Sequence, residues 1–143
     1  MPDRITHEHP TIDTIRGRVA RHGGSRRRID LPEGADASVG GHGSIRCVVE
    51  ERDHFAQIDY HGDHLAIIGL YTSLDQAEAG SPAGSKLTDW LTSIGCNSGS
   101  SIAIDIIDAG ERIGLRRYGS RGVYTVESQP SDTLRDLADR YSG

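Results

Sequence analysis

Through most of this chain, apolar side chains recur at every second position in runs of four to eight residues, each run closed by glycine, proline or a short polar turn. Strands have a side-chain period of two, so the pattern commits the chain to β structure. Ile45, Cys47 and Val49 alternate with Arg46, Val48 and Glu50, and Ile102, Ile104 and Ile106 alternate in the same way. Arg27 to Leu31, Phe55 to Tyr60, His64 to Leu70, Arg112 to Tyr118 and Val123 to Glu127 read as further strands. His61-Gly62-Asp63 supplies a tight hairpin turn between two of them.

Helical spacing replaces this period at three places. Thr11 caps a predicted helix with Ile12, Ile15 and Val19 on its apolar side, weakened by Gly17 and stopped by Gly23-Gly24. Lys86 to Ile94 sets Leu87, Trp90, Leu91 and Ile94 on one face before Gly95, and Ser131 caps a last helix carrying Leu134, Leu137, Ala138 and Tyr141. Residues 1–10, with Pro2 and Pro10, read as a flexible tail, and the small polar residues 72–85 as a mobile loop. Shifting the chain by 57 positions lays Ile45, Cys47, Val49, Ala56 and Ile58 over Ile102, Ile104, Ile106, Ile113 and Leu115. Any two hairpins can match in this way; alternatively, two related halves build one barrel. The expected architecture is mainly β (α+β). A single domain over 11–143 forms a partly open, pseudo-symmetric β-barrel, with flanking N- and C-terminal helices and one short internal helix.

Charge is distributed unevenly. Fifteen of the 16 basic residues are arginine, and aspartate outnumbers glutamate fourteen to seven. Short acids, a single lysine and few bulky apolar residues suit a protein that stays soluble in concentrated salt, where apolar association strengthens; a GC-rich genome also favours arginine. Residues 1–28 hold seven arginines against three acids, whereas the other 115 residues hold nine bases against eighteen acids. An acidic body with a basic arm is a layout that suits polyanion binding. No apolar run reaches the ~18 residues of a membrane span and none resembles an export signal, so a cytoplasmic location with reduced cysteines is expected. Cys47 and Cys96 then stay unpaired, Cys47 packing as a small hydrophobe.

Catalytic motifs are missing: there is no phosphate loop ending in lysine, no G-x-S-x-G and no H-E-x-x-H. Gly40-Gly41-His42-Gly43 precedes a strand instead of opening a helix, so it reads as a turn. His54, His61 and His64, with Asp59 and Asp63, lie close enough in sequence to gather around a metal, yet a closed site wants four ligands and the cysteines are remote; hairpin-surface histidines are the plainer reading. Asp105 and Asp108 could form a hydrolytic carboxylate pair, although among so many carboxylates a chance pair is the plainer reading; Asp105 faces away from Ile104 and Ile106 and hence outward. No catalytic group, metal or cofactor is expected. The stronger signal is arginine. Arg16, Arg18, Arg21, Arg26, Arg27 and Arg28 span a stretch with no acid, as do Arg112, Arg116, Arg117 and Arg121 around Tyr118, and Arg46 lies on a strand between them. Guanidinium groups make bidentate contacts to phosphate and to guanine edges; the same residues can also pair with the acidic body.

Two resemblances arise from these residues. Arg27-Arg28-Ile29-Asp30-Leu31-Pro32, Trp90-Leu91 with Gly95 and Gly99, and Ile102-Ala103-Ile104-Asp105-Ile106 resemble a family of short, uncharacterised haloarchaeal proteins. More distantly, Ile29 to Pro32, the strands of 44–70, Leu87 to Leu91, Asn97 to Ser100 and Ile102 to Ile107 are similar to the plant-type DNA-binding pseudobarrel and to swapped-hairpin transition regulators. That family usually carries Gly-Asp before its last strand, where this chain has Gly99-Ser100. The likeness implies DNA contacts near Arg26, Arg27, Arg28 and Arg46. The expected function is a non-enzymatic DNA-binding regulator or chromatin-associated factor, possible as a homodimer, with both arginine clusters on one face. The alternatives are a protein–protein adaptor, which needs an exposed apolar patch, and a small metal-dependent enzyme.

Overall fold

A computed structural model describes residues 2–80, 84–120 and 122–127. Nine strands and three short helices follow one another along these residues. The strands are β1 (Pro2–Thr6), β2 (Asp13–Arg21), β3 (Arg27–Asp30), β4 (Gly43–Val49), β5 (Arg52–His61), β6 (His64–Tyr71), β7 (Ser101–Asp108), β8 (Arg112–Arg117) and β9 (Val123–Glu127). The helices are α1 (Asp36–Val39), α2 (Leu74–Ala79) and α3 (Leu87–Ser93). Seven strands close a barrel in the order β2-β3-β6-β5-β4-β8-β7, while β1 and β9 form a separate antiparallel ribbon. Full closure leaves the barrel without a free edge.

The alternation in the sequence becomes the barrel's two faces. Val19, Ile29, Ile45, Cys47, Val49, Ala56, Ile58, Ile67, Ile102, Ile104, Ile106, Ile113 and Leu115 point inward and form one buried cluster. Leu87, Trp90 and Leu91 of α3 join that cluster, and Lys86 N–H donates to the Leu70 carbonyl at 2.6 Å, fastening the helix to β6. Cys47 and Cys96 are buried and unpaired, and burial pushes the Cys47 thiol well above its ordinary range. No helix of the described residues is long and apolar enough to cross a membrane.

Four expectations change. The predicted N-terminal helix is strand β2, which pairs with β3 and β7. Its inward positions are Ile15, Gly17 and Val19; a Cβ at Gly17 would sit 2.6 Å from Ile29 Cγ2 and 2.9 Å from Ile104 Cδ1. With no side chain at the middle inward position, the period of two is hidden and Ile12, Ile15 and Val19 mimic a helix. The predicted tail is strand β1, paired with β9 from Pro2↔Glu127 to Thr6↔Val123. The predicted loop contains α2, capped by Ser73 Oγ accepting from Gln76 N–H, with Ala77 buried beneath it. The barrel is closed where it was expected partly open. Its two echoing hairpins, β4–β5 and β7–β8, meet through the parallel β4–β8 pair, but β7 pairs onward with β2 and β5 with β6. The predicted C-terminal helix lies outside the described residues.

The β4–β5 hairpin turns through Glu50 and Glu51, with Val49 paired to Arg52 across it. Both turn residues have positive φ, 52° and 65°. This two-residue geometry suits Asn-Gly, whereas other L-residues lose about 1–2 kcal/mol at each such position. The ion pair between Glu51 and Arg4 at 2.6 Å is well exposed, so it offsets little of that strain. The double substitution Glu50→Asn/Glu51→Gly is expected to stabilise the fold by about 1 kcal/mol in urea unfolding. Unchanged or lower stability would show that the turn is not strained.

Candidate nucleic-acid interface

Asp105 organises the outer surface. On β7 it lies opposite Thr14 of β2 and Gly114 of β8, on the face turned away from the barrel interior. Alternation makes such a residue solvent-facing, yet Asp105 is 0% exposed. The β1–β9 ribbon accounts for this by adding a second layer, in which Ile12, Val48 and Tyr124 are buried together with Ile5 and Ile107 against them. Tyr124 fits because β8 has glycine below it: a Cβ at Gly114 would lie 2.2 Å from the ring. Asp105 accepts from Thr14 Oγ1 at 2.6 Å, from Arg116 Nε at 2.8 Å and Nη2 at 3.1 Å, and from the Tyr124 hydroxyl. Burial, reinforced by the hydrogen bond to Asp105 and its charge, raises the Tyr124 pKa far above the ordinary phenol value. The outward carboxylate of the sequence reading is therefore a buried structural hub, fully occupied by protein partners.

That hub also engages Arg116, whose Nη1 donates to the Ser120 carbonyl at 2.6 Å. Arg27 is engaged by α3: its backbone N–H donates to Thr88 Oγ1 at 3.0 Å and its Nη1 to Thr92 Oγ1 at 2.8 Å. Arg28 donates to Asp30 at 2.7 Å and to the Arg21 carbonyl. Asp30 also lies 3.1 Å from His64 Nε2. Burial pushes the Asp30 carboxyl upward, but the hydrogen bonds and charge of Arg28, with His64 beside it, outweigh it and hold the pKa below its usual value. Arg112 lies 3.8 Å from Asp53, beside Arg46 in the β4–β8 register. Arg121 lies outside the described residues.

Five other arginines lie toward one end of the barrel. Arg16 and Arg18 project from the outer face of β2; Arg18 is paired with Ser101, whose neighbour Ile102 is paired with Arg117. Arg16 donates to Ser101 Oγ at 2.8 Å and stacks over the Tyr118 ring at 4.8 Å. Val19 N–H bonds to the Ser100 carbonyl and Gly99 N–H to the Val19 carbonyl, so the 97–100 loop runs alongside β2 toward the β2–β3 turn, where Arg21 and Arg26 sit. Shallow depressions mark this path, and one of about 230 Å³ between Arg16 and Arg18 includes Asp30, which is paired with Arg18 across β2–β3. Another of about 320 Å³ is lined by Arg21, Arg26, Arg27, Asn97 and Ser98, and one of about 260 Å³ by Ser100, Ser101, Arg117 and Tyr118, with no carboxylate lining either of these two. Arg18, Arg21, Arg26 and Arg117 have no carboxylate partner among the described residues. Arg46 and Arg112 stand apart, since Arg112 begins β8 and Arg117 ends it, about 17 Å away at strand rise. The structure thus gathers five arginines of the two clusters and leaves Arg46 and Arg112 elsewhere.

Histidines take a different arrangement. The His22–His61 and His61–His64 ring centroids are each 6.0 Å apart. Burial lowers the His22 pKa, and the charges of Arg26 and Arg28 add to the effect. His54 Nδ1 is 3.1 Å from the Arg52 carbonyl, and among the described residues no group of three or more His, Cys, Asp or Glu side chains converges as a metal site.

A closed seven-stranded barrel with a covering two-stranded ribbon is the class that these features define. The chain belongs to a family of unknown function, DUF7112, whose model matches residues 1–141. No curated protein and no solved structure matches it significantly.

The hub is testable by stability. Tyr124→Phe removes a hydrogen bond to a buried carboxylate and should cost about 1.5–3 kcal/mol. Asp105→Ala leaves the Arg116 guanidinium buried beside an empty space and should cost more, about 3–5 kcal/mol. Chemical denaturation of both variants decides the matter; an Asp105→Ala cost below that of Tyr124→Phe contradicts the hub.

Proposed function

We propose that this protein is a non-enzymatic, cytoplasmic nucleic-acid-binding protein that holds backbone phosphates along Arg16, Arg18, Arg21, Arg26 and Arg117. The observation carrying this reading is the sorting of its arginines. Arg27, Arg28 and Arg116 serve the fold, whereas the five along β2, the β2–β3 turn and the end of β8 lie toward one end of the barrel in a chain of net negative charge. Phosphate contacts of this kind position a strand without reading its sequence. Tyr118, 51% exposed and lying under Arg16, adds a face on which a base can stack. This favours an unpaired strand, whose bases are accessible, over a duplex.

The likeness to DNA-binding pseudobarrels points to the same class of ligand, but two of the residues it implies, Arg27 and Arg28, are engaged within the protein. An adaptor needs a continuous apolar patch. The large hydrophobic residues exposed among the described ones are Tyr60, Leu74 and Tyr118, and Tyr118 is already covered in part by Arg16. A salt-adapted interior, which the scarcity of lysine suggests, sharpens the demand on such a site. Counterion release contributes less as salt rises, so stacking must supply part of the affinity.

Single-stranded DNA titrated across a KCl series should bind with a log–log salt slope of about −3.5, from about 0.7 for each of five phosphate contacts. Arg18→Ser/Arg21→Ser/Arg26→Ser should reduce the slope by about 2, whereas Arg46→Ser should leave it unchanged. Absence of binding at every salt concentration, or an unaltered slope in the triple variant, would remove the proposal.

A further inference from the structure

At the Arg117 end of the stripe a cavity of about 400 Å³ opens between α3, the β4–β5 turn and the end of β8. That volume lies at the lower end of the range of pockets that hold small organic groups, about 300–1,000 Å³. Ile94 and Leu115 give it apolar walls, Glu50 and Glu51 bring two carboxylates to it, and Arg117 belongs both to this cavity and to the depression beside Tyr118. Trp90 forms part of the lining. Its indole N–H is closed off from water and has no acceptor among the described residues, an unsatisfied donor of a kind that native structures rarely keep. The Glu50 carboxylate has no cationic partner among the described residues, whereas Glu51 is held by Arg4 at 2.6 Å.

We propose that this cavity takes one unstacked nucleobase of a strand whose phosphates lie on the arginine stripe, an inference that rests on the nucleic-acid reading above. A nucleobase is flat and apolar on its faces and carries both acceptors and N–H donors on its edge, which is the combination these walls address. A carbonyl or ring nitrogen accepts from Trp90 after a small shift of the indole. Exocyclic amino or ring N–H groups donate to Glu50. Arg117, standing between cavity and stripe, holds the phosphate of the same nucleotide. Enzymes and binding modules that accommodate single bases use this pairing of edge hydrogen bonds with apolar walls. The positive φ of Glu50 and Glu51 has a place in this account: the turn retains carboxylates where Asn-Gly would be less strained.

Trp90 is the only tryptophan of the chain, so tryptophan emission comes from this one wall of the cavity. The full chain is titrated with a fluorescein-labelled 12-nucleotide single strand and with an abasic strand of equal length, following anisotropy for binding and Trp90 emission for the cavity. The base-bearing strand should quench Trp90; the abasic strand should bind at least about 10-fold more weakly, with no quenching. Glu50→Asn/Glu51→Gly, which relieves the turn and so keeps the fold, should retain most of the salt slope and lose the quenching. Binding of both strands with equal affinity, or binding without change in Trp90 emission, overturns the nucleobase pocket while leaving the arginine stripe in place. No anisotropy change with either strand overturns both.

Discussion

A carboxylate sealed from water at the centre of the outer surface is the interaction on which the rest of this structure depends. Burying Asp105 alone would cost several kcal/mol, and such a group survives only where its lone pairs are filled. Four side-chain hydrogen bonds fill them, from Thr14 on β2, Arg116 on β8 and Tyr124 on β9. The same contacts join three adjacent barrel strands to the ribbon that covers them. Because β9 is paired with β1, the first residues of the chain are held in place by a group one hundred positions away. An apolar replacement could pack as well, but it would leave Arg116 without a partner.

This arrangement also decides which arginines remain available. Each guanidinium in a fold-bearing contact has its donors aimed at fixed acceptors: Arg116 at Asp105, Arg28 at Asp30, Arg27 at the hydroxyls of α3. Of the others, Arg16 and Arg18 project from the outer face of β2, while Arg21, Arg26 and Arg117 lie at the same end of the barrel, in the β2–β3 turn region and at the end of β8. In a chain of net negative charge, a modest number of arginines without carboxylate partners can define an orientation as well as an attraction for a polyanion.

Much of this fold was legible in the sequence, and the exceptions have specific causes. Ile102, Ile104 and Ile106 announced β7, the spacing of Leu87, Trp90 and Leu91 announced α3, and His61-Gly62-Asp63 announced the β5–β6 hairpin. Strand β2 was hidden because Gly17 removes the middle inward side chain, for reasons of space that only the neighbouring Ile29 and Ile104 reveal. The β1–β9 pairing joins segments more than 110 positions apart, and no local period encodes such a contact. Asp105 was read as outward, which is correct with respect to the barrel; its burial comes from the second layer. The arginine-rich stretches were visible as candidates, but composition could not separate Arg27, Arg28 and Arg116, which face fixed acceptors, from Arg18, Arg21, Arg26 and Arg117. Trp90 was legible as a core residue only, since its unsatisfied N–H exists in three dimensions.

The most direct test of the central claim is a residue-resolved map of the bound surface. Backbone amide chemical shifts of the full-length protein, recorded with and without a 12-nucleotide single strand, locate the contact independently of its affinity. The account predicts changes concentrated at Arg16 to Arg21, Arg26, the 97–101 segment, Arg117 and Tyr118, and at Trp90 and the Glu50–Glu51 turn that line the cavity, with Arg46 and Arg112 unaffected. Changes centred on Arg46 and Arg112, or spread evenly over the barrel, would contradict it.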